Sequence, residues 1–293
     1  MFRTYADLTK FGIVVFVILC GLAGYVVSFP LDQTLQFNHI LMLVGGLFFL
    51  SSGSLSLNQV QEWETDQKMP RTARRPIASG KIKPAAAGIM SVVFLVVGSD
   101  LLFRTSILAG VFGWLTVILY NGFYTYWWKR KMIYGAVPGA LPGALPVTIG
   151  YVANREDFFS APSVWMFLVM FLWQMPHFWA LAIRFREDYA KADIPTLPVV
   201  RGVEKTIQQM AHYTLAYVAV ALTAPLVFNL SYVYLILLVP VSFKLLQELY
   251  IFTKSKGEQR WLAFFLWINT SILIYLFVPV IGKWMALFVT SQP

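Results

Sequence analysis

Asn58, Glu62 and Asp66 recur at four-residue intervals in the stretch NQVQEWETDQKMPRTARRP, residues 58–76. At about 100° per residue on an α-helix they fall within a wedge of roughly 80°, while Glu64 points elsewhere. One helix face then presents an amide oxygen and two carboxylates. Oxygen ligands with few carboxylates suit Mg²⁺, which keeps waters and shares its shell with phosphate oxygens. Lys68, Arg71, Arg74 and Arg75 follow at once and could hold those phosphate oxygens. The chemistry this describes is a diphosphate held by metal and cations, with the metal stabilising the leaving group as a C–O bond breaks. A solvated loop with i,i+4 ion pairs and ordinary loop charge accounts for the same stretch.

Such a face needs a helix that delivers it to an apolar boundary. The chain of 293 residues is 58% hydrophobic and 13% charged, with a mean hydropathy of +0.65. Soluble domains carry about 25% charged residues. Nine apolar runs read as membrane spans, at about 11–29, 38–57, 84–103, 106–125, 133–152, 162–183, 211–229, 231–250 and 261–288. A soluble protein with a very large core is excluded, because the runs are too long and lack a polar face. The expectation is an all-α integral membrane protein, one polytopic domain over residues 1–293. The second span's helix continues past Asn58 and stops near Met69, because Pro70 disfavours further turns. The first run is too long for a signal-peptide core and VVSFP lacks a small-residue cleavage pattern, so it reads as a retained span. The lone cysteine, Cys20, excludes a disulfide framework and a thiolate metal cluster.

Charge sorts by side. All but four of the 23 basic residues fall on the side of the N-terminus; the exceptions are Arg104, Arg155 and Lys283 opposite, and Lys244 within the eighth span. The positive-inside rule places the N-terminus in the cytoplasm and the C-terminus outside. The net charge of +9 is then mostly topology. No basic, aromatic-interleaved face points to nucleic acid. The spans hold almost no acid near their centres, which weighs against an ion-coupled transporter.

Two further cytoplasmic loops strengthen the phosphate reading. Lys129, Arg130 and Lys131 form a second cationic cluster. RFREDYAKADIPTLPVV, residues 184–200, adds Glu187, Asp188 and Asp193 among Arg184, Arg186 and Lys191. Both acid-bearing loops follow an even-numbered span, a hint of internal duplication. Two acidic patches facing one cavity could hold a diphosphate through Mg²⁺. At the membrane edge that points to a lipid diphosphate whose isoprenoid chain lies among the spans.

The pattern N-x-x-x-D/E-x-x-x-D followed by M-x-R-T-x-x-R-P resembles the intramembrane prenyltransferases of the UbiA type. The stretches DQKMPRTARRP (66–76), YWWKRKMIYGAVPGALPGALPVTIGY (126–151), WQMPHFWALAIRFREDY (173–189) and IPTLPVV (194–200) resemble the heme-farnesylating branch. They cover over a third of the chain in the expected order, and WQMPH with IPTLPVV is the more specific part. The resemblance implies nine transmembrane helices around a central cavity, in the UbiA-type prenyltransferase fold. It implies Mg²⁺-dependent farnesyl transfer from farnesyl diphosphate to a vinyl group of heme b. The short run of ten residues before the first span fits the cell inner membrane, and the sorting of basic loops puts the active site on the cytoplasmic side. The product would serve terminal oxidases or be converted by a heme A synthase. By position, Asn58, Glu62 and Asp66 correspond to the first metal motif. Arg71, Arg75, Lys129 and Arg130, with Lys68 beside them, correspond to diphosphate-binding positions, and Asp188 belongs to the second acidic region. Glu62 stands where the family more often has Asp. The second region departs from the fuller D-x-x-x-D spacing, which leaves the number of Mg²⁺ ions open.

His177 lies about 10 Å inside the sixth span at 1.5 Å per residue. A histidine at that depth is a functional candidate: it could ligate heme iron, hydrogen-bond a propionate, accept a proton, or bond a neighbouring helix. In the fifth span Gly135, Gly139 and Gly143 recur every four residues, as do Pro138, Pro142 and Pro146, a pattern for close packing or for shaping a cavity. Tyr120, Tyr124, Trp173 and Trp179 could line that cavity and face an allylic cation. Three other readings remain at this stage. One is a sister prenyltransferase acting on a quinone precursor or chlorophyllide. The second is a transporter of an anionic lipid or porphyrin. The third is a non-catalytic oxidase assembly factor, for which Asn58, Glu62 and Asp66 would be dispensable.

Overall fold

The structure, a computed structural model, describes residues 2–290, with side chains for residues 3–285. The described residues form helices and no strand. A short helix α1 (Phe2–Thr9) leads into α2 (Phe11–Ser28), α3 (Phe37–Gln67), α4 (Pro84–Thr105) and α5 (Ile107–Val117). A π-helical segment, Ile118–Trp128, extends α5. Then come α6 (Ala136–Val152), α7 (Ala161–Arg184), α8 (Gly202–Leu222), α9 (Leu235–Lys254) and α10 (Trp261–Thr290). From α2 onward each long helix packs on the next in chain order, and α10 returns to pack on α2, which closes a ring.

Local chemistry sets the ends. Pro84 begins α4, where a missing N–H costs nothing. Ser106 breaks α4 from α5; its hydroxyl accepts from the Ala109 amide and donates to the Val152 carbonyl. α3 outruns its apolar stretch and ends at Gln67, two residues before Met69. Large apolar side chains such as Ile89, Val96, Ile236 and Phe243 stand exposed on the outside of the ring, as lipid-facing residues must.

Seven helical rods are long and apolar enough to cross a membrane. Of the other two expected spans, α6 is apolar at 17 residues, and α8 begins with the polar turns GVEKTIQQ. The seventh span is therefore shifted. Its helix starts at Gly202 rather than near 211, because the amphipathic run extends it, and stops at Leu222 rather than 229, ahead of Pro225. The eighth runs from Leu235 to Lys254, about four residues later than its apolar core indicates.

The loops gather at two ends. At one, the Tyr25 hydroxyl bonds His39 Nδ1, His39 Nε2 bonds the Thr105 carbonyl, and Asn154 donates to the Tyr25 carbonyl. The cationic loops lie at the other. There Glu248, fully buried, receives Lys244 and Arg260 and ties α9 to the start of α10.

α2 and α6 cross at backbone distance. A Cβ on Gly24 would sit 2.0 Å from the Val147 carbonyl oxygen, and one on Gly150 would sit 1.7 Å from that of Gly21. Neither obstacle is a flexible side-chain end, so the helices must separate to admit a methyl. Gly150→Ala is expected to destabilise the fold by about 1–3 kcal/mol, measured as a lower melting temperature in detergent. An unchanged melting temperature would show that the close crossing is dispensable.

Candidate active site

α3 carries Asn58, Glu62 and Asp66 on one buried face, each at most 3% exposed. The π-helical segment runs beside it and matches it rung for rung. Ser54 donates to Asn121 Oδ1 at 2.6 Å, Asn58 Nδ2 donates to Thr125 Oγ1 at 3.2 Å, and Lys129 Nζ donates to both Glu62 oxygens at 2.6 and 2.8 Å. Both strands of this ladder step by four residues. Thr125 Oγ1 reaches back to the Tyr120 carbonyl, five residues before it, in keeping with the wider π turn. The same winding stacks the Tyr120 and Tyr124 rings at 5.7 Å and 14°.

The loop after α3 folds back on it. Thr72 Oγ1 donates to the Asp66 carbonyl and Gln67 donates to that of Ala78. These turns bring Arg75 Nη1 to both Asp66 carboxylate oxygens, at 2.7 and 2.8 Å. Lys10, between α1 and α2, donates from Nζ to Asn58 Oδ1 at 2.9 Å. Each of the three candidate metal ligands thus holds one cation of the protein. Burial first, then the Arg75 charge, pushes the Lys10 ammonium down to about 7.

Lys10, Asn58, Glu62, Asp66, Arg71, Arg75, Lys129, Tyr120, Tyr124 and Tyr189 line a polar pocket of about 160 Å³. Arg71, Arg75 and Lys129, joined by Lys10 when it is protonated, face two carboxylates there, a surplus that suits an anion. Arg71 stacks on Phe185 and, among the described residues, pairs with no carboxylate. The oxygen set of Asn58, Glu62 and Asp66 fits a hard divalent cation that completes its shell with phosphate oxygens and water. Among the described residues no group of three or more His, Cys, Asp or Glu could do so alone.

Beside the pocket lies a chamber of about 610 Å³, within the span of roughly 300–1,000 Å³ usual for ligand cavities. Its walls are mostly apolar, from α2, α3, α5, α6, α7 and α10, and Tyr120 and Tyr124 belong to both cavities. His177 lines the chamber between the rings of Trp173 and Phe265, at 4.7 and 5.1 Å, and its buried Nδ1 makes no hydrogen bond within the protein. The glycine stripe serves this chamber. Tyr124 lies over Gly139 and Gln174 over Gly143, where Cβ atoms would come to 2.5 and 2.0 Å of them. Trp179 is fully buried in the core and does not line the chamber.

Sequence reasoning brought Asn58, Glu62, Asp66, Arg71, Arg75 and Lys129 together, and all of them line the polar pocket. Four expected residues do not. Lys68 and Arg74 are exposed, Arg130 donates to the Gln61 carbonyl outside the lining, and Asp188 is half-buried while its neighbour Tyr189 faces in. Lys10, Asn121 and Thr125 were missed. A polar stripe at four-residue spacing in an otherwise apolar span, Asn121-Thr125-Lys129, was the readable sign of the last two.

A helical ring with a cation-rich diphosphate-sized pocket beside an apolar chamber is the architecture of an intramembrane prenyltransferase, and the chain belongs to the UbiA prenyltransferase family, whose pattern matches residues 13–269. Its relatives point further. It is 57% identical to a protoheme IX farnesyltransferase of Bdellovibrio bacteriovorus over 289 residues, 99% of each chain. It is 33% identical to one from Listeria monocytogenes, over 95% of this chain and 92% of that one. Among solved structures, one of a digeranylgeranylglyceryl phosphate synthase aligns with a TM-score of 0.78 at 19% identity, over 96% of this chain and 98% of that one. A UbiA homologue from Archaeoglobus fulgidus bound to DMAPP and Mg²⁺ aligns with a TM-score of 0.61 at 13% identity, over 98% and 99%. At such identities these structures show the fold.

Proposed function

We propose that this chain transfers the farnesyl group of farnesyl diphosphate to a vinyl group of heme b, giving heme O, in a Mg²⁺-dependent reaction. The observation that carries the reading is the shared wall: Tyr120 and Tyr124 line both the polar pocket and the apolar chamber. A diphosphate in the first and an isoprenoid tail in the second put the reacting carbon at those rings. The acceptor is inferred from the protoheme IX farnesyltransferases that match the chain almost end to end.

Asn58, Glu62 and Asp66 would hold Mg²⁺, which neutralises charge on the departing diphosphate. Arg71, Arg75 and Lys129 bind its oxygens, while Lys68 and Arg130 add positive potential at the mouth. Asp188, from the second acidic region, lies outside the pocket lining next to Tyr189, and a direct role in holding metal would need it to turn inward. As the C1–O bond breaks, positive charge develops on the allylic carbon, and the tyrosine π-faces favour it. The terminal vinyl carbon of heme b gives its π pair to C1. The cation left on the inner vinyl carbon takes the oxygen of a water, which then loses a proton. The product carries a hydroxyethylfarnesyl group and diphosphate leaves. The apolar chamber keeps water from C1 until the vinyl group attacks.

His177 contacts the heme. His177→Ala is expected to weaken heme b binding by about tenfold, roughly 1.4 kcal/mol, while pyrophosphate binding stays unchanged. Equal heme affinity in a titration followed by absorbance would remove His177 from the site.

We read the chain as one polytopic domain over residues 1–293, in the cell inner membrane, with its N-terminus and pocket on the cytoplasmic side and its C-terminus outside. The pocket's position at the end that gathers the cationic loops supports this. Heme O would then pass to terminal oxidases or to a heme A synthase. The test uses purified protein with heme b, farnesyl diphosphate and Mg²⁺, and mass spectrometry of the extracted heme. A gain of one farnesyl and one hydroxyl group that EDTA abolishes is the expected result. No new heme species, with pyrophosphate still released on an aromatic acceptor, would move the function to a sister prenyltransferase.

A further inference from the structure

Lys10 has no place in the motifs read from the sequence, yet it lines the polar pocket and bonds Asn58. Its backbone is left-handed, at φ 52° and ψ 54°, a conformation that strains any residue other than glycine. α3 holds that turn in place. Gln59 Nε2 donates to the Asp7 and Leu8 carbonyls at 2.9 and 2.8 Å, and Ser56 Oγ donates to that of Leu8. The grip comes from the residues flanking Asn58, so the Lys10 ammonium and the Asn58 amide are set against each other by one helix. An ammonium has only donors, so Asn58 must turn Oδ1 toward it, and Nδ2 goes to Thr125.

That arrangement has a chemical consequence. An ammonium 2.9 Å from Asn58 Oδ1 repels a divalent cation approaching the same oxygen, so Lys10 and metal compete there. A divalent ion arriving alone and taking Glu62 and Asp66 would also meet a buried ammonium whose hydrogen-bond acceptor is Asn58 itself. A diphosphate oxygen in the pocket is an alternative acceptor. We infer that Lys10 is a diphosphate-binding residue held in reserve on Asn58, released to the diphosphate when metal arrives, so that metal and diphosphate bind cooperatively through it. The inference rests on the metal–diphosphate reading of the pocket and goes beyond it. Lys129 on Glu62 and Arg75 on Asp66 hold the other two ligands in the same way. Lys10 differs from them in resting on a neutral amide, so it is the most easily released of the three.

The test is Mn²⁺ binding by electron paramagnetic resonance on the full chain in detergent, with and without inorganic pyrophosphate, at matched free Mn²⁺. The wild-type protein should bind Mn²⁺ weakly alone and about tenfold or more tightly with pyrophosphate, the size of an ordinary coupling between sites. Lys10→Met keeps the length and the backbone demand of the side chain but removes its charge. It should bind Mn²⁺ alone more tightly than wild type, and should lose most of the pyrophosphate-dependent gain. Lys10→Arg should retain that gain, which also shows that position 10 tolerates replacement. A Lys10 that only braced Asn58 would give a different result: Lys10→Met would weaken Mn²⁺ binding with and without pyrophosphate. That outcome, or an unchanged gain in Lys10→Met, overturns the inference. If the wild-type protein shows no pyrophosphate-dependent gain, the metal–diphosphate reading of the pocket itself falls.

Discussion

Asp66→Ala should lower farnesyl transfer by about 10²–10³-fold, the scale seen when one group that stabilises developing negative charge is lost. Two losses combine. The pocket loses one of its two carboxylates, and with it the charge that makes a divalent ion welcome there. Arg75 loses both acceptors at 2.7 and 2.8 Å and no longer has a fixed position from which to meet a diphosphate. The fold should survive, because the turn after α3 is also held by the Thr72 hydroxyl on the Asp66 main-chain carbonyl, which alanine retains. Steady-state assay by heme mass spectrometry, beside a melting curve, separates the effects. Activity near wild type would end the assignment of Asp66 as a metal ligand.

Gly139→Ala should have the next largest effect, by a different route. Its methyl would lie 2.5 Å from the Tyr124 ring, which must shift. Tyr124 lines both cavities and stacks on Tyr120, so both rings at the reacting carbon move together. A displacement near 1 Å can cost about 100-fold in rate. The polar ligands stay where they are, so kcat should fall while Mn²⁺ and pyrophosphate affinity hold. A variant with normal kcat would show that the ring positions are not set by this glycine.

How much of the molecule is legible in its sequence depends on the physics behind each feature. The membrane helices were legible because apolar length alone nearly decides them, and the exceptions obey the same logic. α8 begins early since its first turns are polar, which hydropathy cannot see and helical periodicity can. The Asn58-Glu62-Asp66 face was legible because one helix carries it and four-residue spacing fixes its geometry. Lys10 was not, since a basic residue before a first span is what membrane topology produces anyway. Nothing in ILYNGFYTYWW separates a π turn from an α turn, so the ladder onto α3 and the stacked tyrosines had to be seen. In the second acidic region, Asp188 and Tyr189 are neighbours about 100° apart on a short helix. Burial of the tyrosine turns the acid away from the pocket lining, an outcome set by the hydrophobic packing of Tyr189 on Met69 and Ala182 rather than by charge.

The eleven-residue π segment makes the spacing of the chain part of the site. Losing one residue between Ile118 and Trp128 would let the segment relax to the commoner α winding and would swing the residues beyond the deletion by about 100° around the helix axis. Lys129 would leave Glu62, and Asn121 above the deletion would stay with Ser54. Substitutions here trade one side chain for another, whereas an insertion or deletion resets the phase between two helices. Intolerance to length change, more than to composition change, is therefore the signature this stretch should leave in any collection of functional variants.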